Sequence, residues 1–262
     1  REDFIEIAGE FQEDNSFIAN DALHCSFPCY VKSLQFADFG FFSDDFRDTI
    51  KGNNFENPEF ELKIVQDVHN YFAVDLMHRI RMSDIKNEKL VMILPSPENA
   101  VFISVVEALN KYKISCRNVH AFAMDEWADQ DGNVAPLTYG AGLGYSFINH
   151  FYGRIREDLR PPVDHWHVHT NENKGTGVYS RMIEDITGGG VDVVYSATGW
   201  PGHTAFIDPR TEEFKADSLE EFCKLESRIV TETPLTICEN SLFGPMGASG
   251  DVWAVPPKSA TI

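Results

Sequence analysis

Three short apolar runs, residues 89–94, 119–124 and 191–195, alternate along this chain with segments whose apolar residues return every three or four positions. Runs this short, with no polar residue at every second place, are what strands buried on both faces look like. The segments between them read as amphipathic helices. One such pattern opens at Pro58, where Ile64, Val68, Phe72, Leu76 and Ile80 recur every four residues. Further helices are predicted over residues 101–112, 145–158 and 179–186, and a further strand over residues 165–168, where His165, Trp166, His167 and Val168 alternate. Strand and helix alternating at this pitch imply an α/β fold, a mainly parallel sheet with helices on both faces.

Two of the predicted strands end in chemistry. Residues 119–124 run into Asp125 and Glu126. Residues 191–195 run into a loop carrying Gly199, Trp200, Gly202, His203 and Asp208. Glycines let backbone approach a ligand, and a histidine beside a carboxylate handles protons near neutral pH. In open parallel sheets ligands bind beyond the carboxyl ends of strands, so both turns are expected to border one crevice.

The 22 basic and 41 acidic residues leave a formal net charge of −19. That excludes a sequence-independent nucleic-acid surface or an anionic-membrane surface, both held by clustered cations. No apolar run is long enough to span a bilayer. Cys25, Cys29 and nearby His24 are followed by no second ligand pair of zinc spacing, so the five cysteines are expected to be free thiols in a reducing compartment, the cytoplasm by default. His165, His167 and His169 alternate along one predicted strand without a fourth ligand, which points to a solvated or sugar-lining face rather than a metal. No metal or organic cofactor is expected.

Residues 1–58 are rich in phenylalanine and show no clean period. They are read as an N-terminal arm packed on the main domain, residues 59–262, or on a partner subunit in a homo-oligomer. The chain stops where an apolar segment is starting, at Ala260, Thr261 and Ile262, and a strand cut there would leave unpaired edges. A missing C-terminal piece is therefore expected.

Met124-Asp125-Glu126-Trp127, and the later run from Gly199 through Pro201, Gly202, His203, Thr204, Ala205, Phe206, Ile207 and Asp208 to Pro209, resemble the glucosamine-6-phosphate deaminase (isomerase) family. That family shows M-D-E-Y and G-N-D-G-H-I-A-F-N-E-P at these points. The resemblance implies a three-layer α/β/α Rossmann-like sandwich of the deaminase/ribose-phosphate isomerase/CoA-transferase kind. It also implies an isomerase or hydrolase acting on a hexosamine 6-phosphate or a related sugar, by ring opening and proton transfer between C2 and C1. By it, Asp125 is the base, His203 opens the ring, Asp208 orients the imidazole, and Glu126 shares the catalytic site. Ser96, Asn99, Gly199, Trp200, Gly202, Trp127 and Lys258 are the candidates for binding the sugar.

The departures from the pattern are specific. Pro201 stands where the family has an aspartate, and Asp208 is one methylene shorter than the family glutamate. Leu94-Pro95-Ser96-Pro97-Glu98-Asn99 replaces a glycine-rich phosphate loop with a proline and an acid. Ile237 and Pro257 stand where an arginine and a lysine are expected, with Lys258 adjacent to the latter. A 6-phosphogluconolactonase-like hydrolase shares the fold but favours D-E-R and G-H-x-A-S, and a non-catalytic sugar-binding relative accounts for the lost anion groups.

Overall fold

The computed structural model describes residues 65, 67–96, 99–209, 211–243 and 250–262, with Asn99 and Ala100 described by backbone alone. The chain divides into two units, residues 1–71 and 72–262. Nearly all of the first lies outside the described residues, including the phenylalanine-rich arm, Cys25 and Cys29.

Helix α1 (Val68–Lys86) realises the pattern that begins near Pro58, and its Leu76 and Ile80 are fully buried while Val68 is exposed. Strand β1 (Leu90–Leu94) follows and is buried at every position. Helix α2 (Asn99–Tyr112) leads to β2 (Val119–Ala123), whose residues pair with β1 in parallel, Leu90 to Val119 through Leu94 to Ala123. Strand β3 (Asp125–Ala128) belongs to a different sheet. After helix α3 (Leu143–Ser146) come β4 (Trp166–His167), helix α4 (Val178–Thr187) and β5 (Val193–Val194). The parallel sheet has the order β4-β2-β1-β5.

The alternation along β1 shows why both faces are covered. Leu90, Met92 and Leu94 pack with Leu76, Ile80, Phe102, Val105 and Leu109 of α1 and α2. Val91 and Ile93 face the other way, toward Phe122, Met124 and Tyr179 of α4. Each such side chain, fully buried, contributes about 1.5–3 kcal/mol. Three layers result, as predicted.

The last third of the chain adds a short helix α5 (Leu219–Phe222), strand β6 (Arg228–Thr231), helix α6 (Pro234–Phe243) and strand β7 (Lys258–Thr261). Strand β7 runs antiparallel between β3 and β6 and is paired along both edges. Three expectations need correction. The predicted helix over residues 145–158 is one α turn, a π turn at Phe147–Phe151 and a 3-10 turn at Tyr152–Arg154. These turns seat Phe147 and Phe151 against Trp166, with ring centroids 4.8 and 4.9 Å apart. Strand β5 is short, pairs among the described residues with β1 alone, and leaves Val194 exposed, so it is an edge of the described sheet rather than a buried strand. His165 lies in a 3-10 turn before β4, not in the strand.

Candidate functional site

Strand β2 delivers Asp125 to the carboxyl end of the parallel sheet. The Met124 N–H still bonds the Leu94 carbonyl at 2.9 Å, and the next residue starts β3. Asp125 is buried, and no side-chain hydrogen bond among the described residues holds its carboxyl. Burial, with the adjacent Glu126 charge in support, pushes its pKa up to about 7. Glu126 points the opposite way. Its oxygens accept the backbone N–H groups of Trp127 at 2.8 Å, Leu143 at 2.9 Å and Gly144 at 2.6 Å. Burial still raises its pKa against those three bonds. A Cβ on Gly144 would come within 2.9 Å of the same carboxylate, so glycine is needed there for close approach. Glu126 is thus a brace between β3 and α3, not an open catalytic group.

The second turn is built by two consecutive left-handed residues. Ala205 and Phe206 have φ of 55° and 59°, and the Ile207 N–H bonds the Thr204 carbonyl at 3.0 Å. This two-residue reversal needs positive φ at both central places, an arrangement that non-glycine residues resist and that functional sites tolerate. It folds Asp208 back on His203, bringing Asp208 Oδ1 to 3.2 Å from His203 Nδ1 despite the shorter side chain.

Around that pair the hydrogen atoms can be assigned. The Thr236 hydroxyl donates to Asp208, at 2.7 and 2.9 Å from its two oxygens. It therefore presents only lone pairs to His203 Nδ1, 3.0 Å away. Both neighbours of Nδ1 accept, so Nδ1 carries a hydrogen, and Nε2 is the ring nitrogen left outside this network. The Thr233 N–H, at the start of α6, also donates to Asp208 Oδ2 at 2.9 Å, which puts the carboxylate at the positive end of a helix. On the Nε2 side stands Glu239 of α6, its Oε2 4.0 Å away. Gly199 lies between them: a Cβ there would strike the imidazole and come within 2.8 Å of Glu239 Oε2.

The two turns meet. Asp125 is paired across the ladder with Thr261 of β7, and the Thr261 hydroxyl donates to the Ala205 carbonyl in the histidine turn. The Trp127 and Phe206 rings lie 4.7 Å apart, and Phe206 is 5.5 Å from the His203 ring.

The sugar-binding candidates separate. Trp127 has no exposed surface, so it fills the core beside Phe206 and reaches no sugar. Trp200 is 57% exposed, its N–H donates to Glu239 Oε1 at 3.1 Å and its ring edge meets Phe243. Gly199 and Gly202 close the turn that carries it, the Gly202 N–H bonding the Gly199 carbonyl at 3.0 Å. Ser96 lies just past β1, half-buried, whereas Pro97, Glu98 and the Asn99 side chain lie outside the described residues. Lys258 pairs with Ala128 and Thr231, three places from the Asp125–Thr261 pair. By alternation along the strand it faces away from Asp125. Ile237 packs with the Trp127 cluster.

The histidines predicted to form a solvated or sugar-lining face take part in ring stacks. His165 and His167 lie against His120 of β2, at 3.6 and 6.1 Å, and His169 is buried against Tyr179 at 3.8 Å. Burial lowers His120, His167 and His169 to about 4, so these three are neutral near pH 7. Among the described residues no group of three or more His, Cys, Asp or Glu can hold a metal ion, and no helix is long and apolar enough to cross a membrane. Cys116, Cys223 and Cys238 are free thiols.

Thr236, Glu232 and Glu239 escape the sequence reading. The signal is nonetheless present: Thr233-Pro234 is a helix start of cap followed by proline, and Thr236 and Glu239 follow at three-residue spacing on one helix face.

No family model matches the chain, and no curated protein matches it in sequence. Solved structures do match. A monomeric glucosamine-6-phosphate deaminase, described as a missing link of the NagB superfamily, superposes with a TM-score of 0.58 at 15% identity, over 78% of this chain and 76% of that one. The devB protein gives 0.51 at 11% identity, over 74% and 70%. A 6-phosphogluconolactonase from Thermotoga maritima gives 0.49 at 16% identity, over 76% and 75%. The mainly parallel sheet, its helical layers and the first of these superpositions show that the chain has the Rossmann-like α/β fold of a glucosamine-6-phosphate deaminase.

Proposed function

We propose that the chain is an amino-sugar enzyme that opens a hexosamine ring, moves a proton from C2 to C1 and releases the amine. The observation that carries this reading is that Asp125, buried and without a side-chain hydrogen bond among the described residues, is linked through Thr261 to the turn that holds the oriented His203–Asp208 pair. A carboxyl held near 7 is divided between base and acid at neutral pH, so Asp125 can take the C2 proton and return it to C1. His203, with Nδ1–H committed to Asp208 and Thr236, offers Nε2 to exchange a proton with the ring oxygen. Release of the amine then needs only water as co-reactant. The 15% identical glucosamine-6-phosphate deaminase adds support from fold.

The test is ammonia release from glucosamine and from glucosamine 6-phosphate by the full chain. Turnover on at least one is expected to exceed that of His203→Ala by about 100-fold or more, the usual contribution of a placed acid or base. Turnover no greater than that of His203→Ala on both sugars would overturn the proposal.

A further inference from the structure

Several carboxyl groups stand near the His203 turn, and not all of them find a donor among the described residues. Asp208 and Glu126 are satisfied by backbone and hydroxyl donors. Glu239 is not: its Oε1 accepts the Trp200 N–H, but its Oε2 is buried without a hydrogen-bond partner. Glu232 is more extreme. It is 4% exposed, and neither carboxyl oxygen has a partner. The Ser259 hydroxyl faces it without closing a hydrogen bond of normal geometry, and Asp208, Asp125 and Glu213 all press on it with like charge. Alternation along β6 sets Glu232 on the sheet face that Asp125 shares.

No described cation answers these groups. Arg228 donates to the Glu226 and Glu213 carbonyls and lies over the Phe214 ring. Arg181 pairs with Glu226, Lys215 with Glu212, and Lys224 with Glu220. Lys258 faces away. Among the described residues, a phosphate would therefore meet carboxyl groups and no guanidinium or ammonium to receive it. A cation finds the converse: the Glu239 oxygen that lacks a partner, His203 Nε2 4.0 Å from it with Gly199 packed against both, and the exposed Trp200 ring on the same turn as Gly199. An acid beside an exposed indole is the usual composition of an ammonium site.

We propose that this site binds the protonated amine of a free amino sugar, without a phosphate, with Glu239 as the contacting counter-ion and Glu232 as a second, buried carboxyl that answers the cation. The inference rests on reading the site as an amino-sugar site, but it concerns binding rather than turnover.

Calorimetry on the full chain separates the two. Glucosamine, glucose, glucosamine 6-phosphate and glucose 6-phosphate are titrated at about pH 6.5, below the range in which free amines lose their proton. Glucosamine is expected to bind at least about tenfold more tightly than the other three. Glu239→Gln is expected to remove about tenfold of that preference. Because Glu232 holds a proton near neutral pH, binding of the cation is expected to release protons into the buffer, and Glu232→Gln to diminish that release. Preferential glucosamine binding supports the inference even where no ammonia is formed. Equal or tighter binding of glucosamine 6-phosphate, equal binding of glucose, or no binding of any sugar overturns it, the first of these even where that phosphate ester is turned over.

Discussion

At Asp125 and Glu232 the protein holds two carboxyls in surroundings that favour the neutral form. Their pKa values rise to about 7 and about 8, each chiefly by burial. In the unfolded chain both titrate near 4. Between about pH 4 and pH 8 the folded state thus holds protons that the unfolded state has lost, and by linkage stability must fall as pH rises through that window. The contribution of these groups is whole below pH 4 and lost above the folded pKa. Urea unfolding across this range is expected to show the decline for the native sequence and less of it for Glu232→Gln. That variant, which leaves no charge to bury, is expected to be more stable than the native sequence at pH 8 by about 1–4 kcal/mol. A flat pH profile shared by both proteins would contradict the assignment.

Among the elements, the tie between β3 and α3 is the one a single side chain maintains. Glu126 satisfies two N–H groups at the start of α3, which no side-chain cap serves. Glu126→Ala leaves those buried donors without an acceptor, each omission worth about 1–3 kcal/mol. Glu126→Gln keeps one acceptor oxygen and is expected to lose distinctly less. Denaturant midpoints for the two variants check this; equal losses would mean that the backbone bonds are not what the carboxylate supplies. The legibility of this part in the sequence was uneven. Strands β1 and β2 and helices α2 and α4 could be read because their apolar periods are clean. Strands β3, β6 and β7 are four residues each and mix acid, base and hydroxyl with apolar residues, so no period marks them. What makes them strands is pairing with segments about 30 residues away for β6 and β7 and about 130 away for β3 and β7, which no local window contains.

For the whole molecule, a net charge of −19 sets the long-range field. Such a field draws cations and repels anions, and salt screens it over about 10 Å at 0.1 M. Raising the salt concentration is expected to weaken glucosamine binding severalfold and leave glucose binding nearly unchanged. Titrations at low and high salt measure it directly, and a salt-independent glucosamine affinity would speak against electrostatic selection.

The sequence by itself determined the parallel α/β core and the two turns that carry Asp125, His203 and Asp208, because strand and helix periods and glycine-bounded turns are local properties of the chain. It did not determine what those residues face. Trp127 as core rather than platform, Glu126 as brace, Lys258 turned away, and Thr236 and Glu239 gathered about the imidazole were all decided by the antiparallel sheet and helix α6. Whether a side chain is buried, satisfied or left wanting a partner depends on which distant segments pack against it, and only the tertiary structure sets that.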